Sequence, residues 1–200
     1  MKRLQILLLI LLFCLLPLTV AAGITAGYEI FTGSYADANG DGIGDLNGIR
    51  ERLDYIQSLG VDGIWLTPVS PSPSYHKYDV TNYLEIDPAF GTLADYNALA
   101  EACAARGIAL IFDLVVNHTS TEHPWFLSAA NSLQTGDSAN PYIAYYQFTE
   151  GSGTHSLEGT DWYYAAGFDP GMPELNLDNP AVRDEIKAVV AFWLQHGVSG

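Results

Sequence analysis

One arrangement of hydrophobic and polar positions occurs three times along the chain: a polar cap, a stripe of apolar residues at helical spacing, a glycine, then a short apolar run. Behind Asp45, the residues Leu46, Ile49, Leu53, Ile56 and Leu59 recur at three- and four-residue intervals, Gly60 ends the turn, and Val61 to Leu66 reads as a strand. Thr92, with Asp95 three residues on, predicts a capped helix carrying Leu93, Tyr96, Leu99 and Cys103 on one face, stopped by Gly107 and followed by the nearly all-apolar run Ile108 to Val116. In the third unit Pro180 occupies the first helical turn, Val182, Ile186, Val189 and Trp193 form the stripe, Gly197 stops it, and Val198 to Gly200 begins a strand.

Short strands apolar on both faces and separated by helices predict a parallel sheet with covered faces, either doubly wound or closed into an eight-fold barrel. Periodicity alone does not choose between them. Between Asn117 and Asn176 the pattern lapses into Gly-, Ser-, Asn- and Tyr-rich sequence. A stretch of that length exceeds an ordinary connection, so it reads as an inserted subdomain.

The first residues have a different character. Lys2 and Arg3 precede an unbroken apolar run, Leu7 to Leu16, closed by Pro17 and the small pair Ala21-Ala22, which predicts an export signal over residues 1–22 cleaved after Ala22. The run is short for a membrane span. Loss of Cys14 with this leader leaves Cys103 alone, so no internal disulfide is available, and Cys103 reads as a buried core thiol. The expected location is secreted or periplasmic. The formal charge of −15 becomes −17 once Lys2 and Arg3 are removed, a balance that repels phosphate backbones and anionic lipid and so disfavours nucleic-acid and membrane partners.

Several chemistries lack their required spacings: no H-E-x-x-H, P-loop, C-x-x-C or G-x-S-x-G string occurs. The glycines at 40, 42, 44 and 48 fail the dinucleotide spacing and sit among carboxylates that would repel pyrophosphate. What that loop does offer is Asp37-Ala-Asn39-Gly-Asp41-Gly-Ile43-Gly-Asp45. Its alternate oxygen side chains and glycine bends suit a hard cation held by Asp37, Asn39, Asp41, the Ile43 carbonyl and Asp45. The twelfth position is Gly48 instead of a bidentate Glu, which argues against a calcium sensor and for a static Ca2+ that pins the connection. The alternative is a solvated Asx-rich turn with three crowded carboxylates.

Two further constellations carry chemistry. Ser74 to Tyr83 follows the strand ending at Leu66 and combines tyrosines with His76 and Asp79, which suits sugar stacking and hydrogen bonding as well as it suits a packed Tyr-rich loop. Asp113 lies in the apolar run Leu110 to Val116, where a carboxylate needs a cation or donors, an Arg above all; a purely structural buried acid is the alternative. His118 reads equally as a ligand-binding or a satisfied turn histidine.

Taken in order, these residues resemble the α-amylase family of glycoside hydrolases. Asp113 to His118 is similar to that family's D-x-V-x-N-H signature, Met172-Pro-Glu-Leu-Asn176 to its short motif near the end of domain B, Asp37 to Asp45 to its calcium loop, and Phe90-Gly-Thr92 to the turn before its second helix. The resemblance runs from about Tyr28 to Gly200. It implies an α/β fold, the N-terminal portion of a (β/α)8 TIM barrel: residues 23–117 as the first part, an inserted domain B over 118–177 after the third strand, and the third helix and start of the fourth strand over 178–200. It implies a retaining mechanism on α-1,4-linked glucan or maltooligosaccharide substrates, with transglycosylases, sugar isomerases and non-catalytic carbohydrate-binding relatives as other members.

Residue by residue, the resemblance implies that Tyr78 stacks on the sugar at the cleavage point with His76 nearby, that Asp79 and His118 hydrogen-bond its hydroxyls, and that Asp113 supports an arginine just ahead of the nucleophile. It also implies Ca2+ at the loop above and, in some relatives, a second site at Asn117. Lys77 stands where many members have Gly, and Glu174 where Asp is commoner. The nucleophile and the acid/base of the family follow the point corresponding to Gly200, so retaining hydrolysis, which needs two carboxylates about 5 Å apart, is expected only of a longer polypeptide. Residues 23–200 alone are expected to be inactive and poorly soluble or loosely folded, since an unclosed barrel leaves a strand edge and an inward apolar face unpaired.

Overall fold

The computed structural model describes residues 23–200; the predicted leader lies outside them. Strands β1 (Gly27–Ile30), β2 (Gly63–Leu66) and β3 (Ala109–Phe112) form a parallel sheet in that order. Tyr28 pairs with Ile64 and Ile64 with Leu110, while Ile30, Leu66 and Phe112 form a second row. The third unit arrives beside β3: Ser199 N–H donates to the Leu110 carbonyl at 2.7 Å and Phe112 N–H to the Gly200 carbonyl at 2.9 Å.

Helices connect the strands. Between β1 and β2 lie α1 (Thr32–Tyr35), α2 (Leu46–Glu51) and α3 (Leu53–Ser58); between β2 and β3 lies α4 (Leu93–Ala104). The single helix expected over Leu46 to Leu59 is broken at Arg52, whose φ of −98° and ψ of 4° leave the helical region. Leu46, Ile49, Leu53 and Ile56 stay fully buried on both sides of the break, whereas Leu59, beyond the last turn, is exposed. Burial of each such side chain favours the fold by about 1.5–3 kcal/mol, which holds the two short pieces in line without a continuous hydrogen-bond ladder. In α4 the expected capping box is present: the Thr92 hydroxyl accepts from Asp95 N–H, the Asp95 carboxylate accepts from Thr92 N–H, and Cys103 is buried.

Strand parity separates the sheet's two faces. Tyr28, Ile30, Ile64, Leu66, Leu110 and Phe112 face the helices and join the main core. Glu29, Trp65 and Ile111 point the other way, where Glu29 is exposed and Trp65 is 43% exposed. The expectation of two covered faces therefore holds for one face only within the described residues. The main core closes with Trp193 of α6 (Pro180–Gln195), which stacks on Phe112 at 4.3 Å, meets Tyr96 edge-on at 5.0 Å and donates its indole N–H to the Tyr83 carbonyl at 2.9 Å. Tyr83 is itself buried, and its hydroxyl reaches the carbonyls of Val115 (2.8 Å) and His118 (3.2 Å).

Between β3 and α6 the chain forms α5 (Pro124–Thr135), a 3-10 turn at Pro141–Tyr145, and a small antiparallel sheet of β4 (Phe148–Glu150), β5 (His155–Ser156) and β6 (Trp162–Tyr164) in the order β4-β6-β5. Phe126, Tyr145, Tyr146, Leu157, Tyr164 and Leu175 give this segment a core of its own, to which α6 contributes Val182. No helix of the described residues is long and apolar enough to cross a membrane.

Candidate active site

The candidate residues lie on the two loops that leave the C-terminal ends of β2 and β3, the end of a parallel sheet where side chains are free of the ladder. β3 stops at Phe112, short of the run expected to Val116, so Asp113 is half-buried at the strand's exit and not inside it. It shares the parity of Ile111 and so lies on the open face. Tyr78, carried by the loop after β2, donates its hydroxyl to Asp113 Oδ2 at 3.0 Å. Burial, followed by that hydrogen bond, pushes the Tyr78 phenol up to about 12, so it remains a donor through the neutral range. The arginine expected beside Asp113 is not met within the described residues; Tyr78 supplies the donor that a half-buried carboxylate needs.

Next to Tyr78, Asp79 is buried, and its Oδ1 accepts from the hydroxyls of Ser72 and Ser74. His76 lies 3.8 Å from the same oxygen through Nδ1, which also accepts Tyr78 N–H at 3.1 Å. That contact assigns Nδ1 as an acceptor and leaves Nε2 to carry the proton. His118 is 5% exposed; its Nδ1 lies 3.2 Å from Asn117 Nδ2, and its Nε2 is buried with no hydrogen-bond partner among the described residues. Desolvation holds the His118 ring below the usual histidine range, opposed first by the Tyr78 backbone and then by the charges of Asp79 and Glu174. A neutral imidazole with an unpaired nitrogen is a group that a ligand hydroxyl can satisfy.

The segment Met172 to Asn176 reaches this place by pairing antiparallel with the chain after β3. Thr119 N–H donates to the Pro173 carbonyl at 3.1 Å and Leu175 N–H to the Asn117 carbonyl at 2.9 Å, while Glu174 Oε1 accepts Gly167 N–H at 3.0 Å. This pairing carries Phe168 to the site, 76% exposed with its ring 5.3 Å from that of His118. Sequence reasoning did not single out Phe168; its position four residues before Met172 was the available signal.

Lys77 was also missed as a structural element. Its φ of 67° lies in the left-handed region, and its ammonium is 2.8 Å from Asp87 Oδ2 and 3.1 Å from the Ser72 carbonyl, over the ring of Phe90 at 5.7 Å. Side-chain exposures of 14% and 9% make this a largely buried pair that clamps the loop between His76 and Tyr78 to the start of the turn before α4. A left-handed backbone is the natural position for Gly, which explains the residue the family pattern favours there.

In the loop from Asp37 to Asp45 every acidic side chain binds backbone amides. Asp37 accepts from Gly40 (2.6 Å) and Gly42 (2.8 Å), Asn39 Oδ1 from Asp41, Asp41 from Ile43, and Asp45 from Gly48 (2.7 Å) and Ala38 (3.0 Å). By type, four oxygen side chains and the Ile43 carbonyl fit a hard cation. As arranged, however, no three His, Cys, Asp or Glu side chains of the described residues converge on one point that could hold a metal ion. Asp45 is turned inward, 4% exposed, to cap α2. Gly48 cannot be the glutamate of an EF-hand because a Cβ there would stand 2.0 Å from the Ala36 carbonyl oxygen. Asn117, the candidate for a second site, is exposed and bonded to His118.

Parallel strands followed by helices, a polar site at the strand ends and an inserted antiparallel segment after β3 suit the first part of a (β/α)8 barrel. Residues 29–200 match the family described as alpha amylase, catalytic domain, and the chain belongs to that family. Alpha-amylase 3 of Dictyoglomus thermophilum is 44% identical over 178 residues, covering 86% of this chain and 34% of that protein; the oligo-1,6-glucosidase of Parageobacillus thermoglucosidasius is 42% identical over 189 residues, covering 86% and 33%. Among solved structures, Eubacterium rectale Amy13B superposes with a TM-score of 0.84 at 49% identity over 87% of this chain and 36% of its own. An inactive double mutant of MutB in complex with isomaltulose superposes at 0.80 and 36% identity, over 88% and 34%. The chain thus spans about a third of the length of these relatives, and its fold is the N-terminal portion of their barrel.

Proposed function

We propose that this chain is the substrate-binding N-terminal part of a secreted or periplasmic retaining α-glucan hydrolase acting on α-1,4-linked glucose oligosaccharides or polymers. The observation that carries the reading is the Tyr78–Asp113 contact, with Asp79 and His118 on the same two loops. In it, the Tyr78 ring packs against one glucosyl unit, His76 lies beside that unit, and Asp79 and His118 hydrogen-bond its hydroxyls. Asp113, already holding the Tyr78 hydroxyl, orients a cation contributed by the strand next to β3. The nucleophile and proton donor come from a later part of the complete polypeptide, in keeping with relatives about three times as long; residues 23–200 alone are then inactive. Residues 118–177 form domain B.

The loop Asp37 to Asp45 would take Ca2+ through Asp37, Asn39, Asp41, the Ile43 carbonyl and Asp45 once these carboxylates turn from the backbone amides they now bind, a role supported by donor type and alternation. Its test is calcium titration of the chelator-treated complete protein. A rise in melting temperature that Asp41→Asn abolishes supports it; identical melting with and without calcium overturns it.

The activity is tested with the complete polypeptide on maltoheptaose, isomaltose and sucrose, with products resolved by chromatography. Release of shorter maltooligosaccharides with retained α-configuration, lost in Asp79→Asn, is expected. Since similar structures include trehalulose synthase MutB, formation of new linkages without net hydrolysis would make the transglycosylase or isomerase reading correct. No turnover of any of the three overturns both and leaves a non-catalytic carbohydrate-binding protein.

A further inference from the structure

Lys77 is the one residue with a positive φ, among the described residues, that is not a glycine, and it lies inside the candidate site's loop between His76 and Tyr78. A left-handed backbone costs free energy for a residue with a Cβ, so other contacts must hold it there. Those contacts are polar and largely shielded from water. The ammonium reaches Asp87 Oδ2 at 2.8 Å and the Ser72 carbonyl at 3.1 Å, with side-chain exposures of 14% for Lys77 and 9% for Asp87. One charge thus ties Ser72 to Asp87, and His76, Tyr78 and Asp79 all lie between them in sequence.

Each end of this tie leads somewhere. The Ser72 hydroxyl donates to Asp79 Oδ1, so a displaced Ser72 takes the partner of that carboxylate with it. The left-handed turn at Lys77 folds the chain so that Tyr78 N–H meets His76 Nδ1 at 3.1 Å, and the Tyr78 hydroxyl meets Asp113 at 3.0 Å. Asp87, at the other end, is fixed to the frame: its N–H donates to the carbonyl of the buried core residue Val69 at 2.8 Å, and its Oδ1 accepts Ala89 N–H at 2.9 Å. The ammonium therefore refers the position of the loop to a fixed point of the core. A neutral side chain of the same length has no donors to bridge a carbonyl and a carboxylate, and a glycine supplies the turn without the tie.

We infer that Lys77 is a positioning residue for the reaction: through Ser72 and Asp87, and not by contact with the sugar, it sets the placement of Tyr78 and Asp79 against the reacting unit. The inference rests on the reading of Tyr78 and Asp79 as the site of that unit and adds to it the group that pre-organises them. Misplacement of about 1 Å at such groups, even from a change remote from the chemistry, costs up to about a hundredfold in rate.

The test uses the complete polypeptide with Lys77→Met, with Lys77→Gly, and with Lys77→Met and Asp87→Asn combined. The substrate is whichever of maltoheptaose, isomaltose and sucrose the parent turns over, and the assay temperature is one at which circular dichroism shows the variants folded. A fall in kcat/KM of about ten- to hundredfold is expected in all three. The double variant separates positioning from stability: its melting temperature should return towards the parent's while its kcat/KM stays low. A pair that only stabilises the fold gives the opposite pattern, with kcat/KM returning together with the melting temperature. Parent-like kcat/KM in any one of the three folded variants overturns the inference and leaves the sugar site standing; in Lys77→Gly it would mean that the turn alone suffices. Should Lys77→Met fail to fold, the double variant and Lys77→Gly carry the same decision. A parent that turns over none of the three sugars removes the underlying reading, and the role of Lys77 falls with it.

Discussion

Replacing Lys77 by Met keeps the side chain's length and removes its charge, leaving Asp87 in a nearly closed environment without its ammonium partner 2.8 Å away. Breaking a buried pair in this way costs about 3–5 kcal/mol, because the remaining ion stays desolvated. Asp87 retains one compensating donor, the Ala89 amide at 2.9 Å on its other oxygen, so the lower end, about 3 kcal/mol, is the expected loss. Domains of 150–250 residues shift by about 2–4 °C per kcal/mol and larger ones by less, so differential scanning calorimetry of the complete polypeptide should show a fall of a few degrees in melting temperature. The companion variant Asp87→Asn separates charge burial from packing. Alone it strands the ammonium, but combined with Lys77→Met it removes both charges, and the double variant should return to within about 1 kcal/mol of the parent. Lys77→Gly, which loses the pair but suits the left-handed backbone, should rank above Lys77→Met. If Lys77→Met melts within about 0.5 kcal/mol of the parent, or if the two single losses simply add, the pair is a surface-like contact and the clamp argument fails.

Three further outcomes follow from buried groups and close contacts. Gly48→Ala places a methyl group 2.0 Å from the Ala36 carbonyl oxygen, so α2 or the loop before it must shift; a loss of about 1–3 kcal/mol, the cost of overpacking, is expected in thermal melts. His123 accepts Trp125 N–H as the N-cap of α5, and burial pushes its ring down to about 4 from 6.5. A histidine with a depressed folded pKa takes up a proton on unfolding, so its contribution to stability is complete above about pH 6.5 and is lost as the pH falls towards 4. His123→Asn, which keeps a capping oxygen, should flatten that part of the stability–pH curve. Burial pushes the Cys103 thiol up to about 11, so iodoacetamide at pH 8 should leave the Cys103 peptide unlabelled in the native protein and label it after denaturation, as read by mass spectrometry.

Sequence pattern recovered what local chemistry determines. The cap of α4 is written in Thr92 and Asp95, three residues apart, and the stripe Val182, Ile186, Val189 and Trp193 describes α6 in full. The break at Arg52 was not legible, since the buried stripe runs through it in register and only one residue's backbone angles mark it. Helix α5 was hidden because its Ser, Asn and Gln content hides Phe126 and Ala129, the residues it buries. At the site, the residue types after β2 and β3 were readable as candidates, but their pairing was not. Tyr78 meets Asp113 across 35 positions of sequence, and Lys77 meets Asp87 across ten, with no periodic signature for either. The strand carrying Asp113 was read too long because Leu114, Val115 and Val116 are apolar for a different reason: Val115 packs into the main core from the loop.

Tyr83 joins three segments that are far apart in sequence, through the Trp193 indole on its carbonyl and its own hydroxyl on the carbonyls of Val115 and His118. A rivet of this kind ties the barrel portion and the inserted segment into one cooperative unit, so the amide protons of α4 and α5 should exchange with solvent at similar free energies of opening. Whatever changes at the outer edge of the insertion, the tyrosine at its root then keeps the loops after β2 and β3 in place.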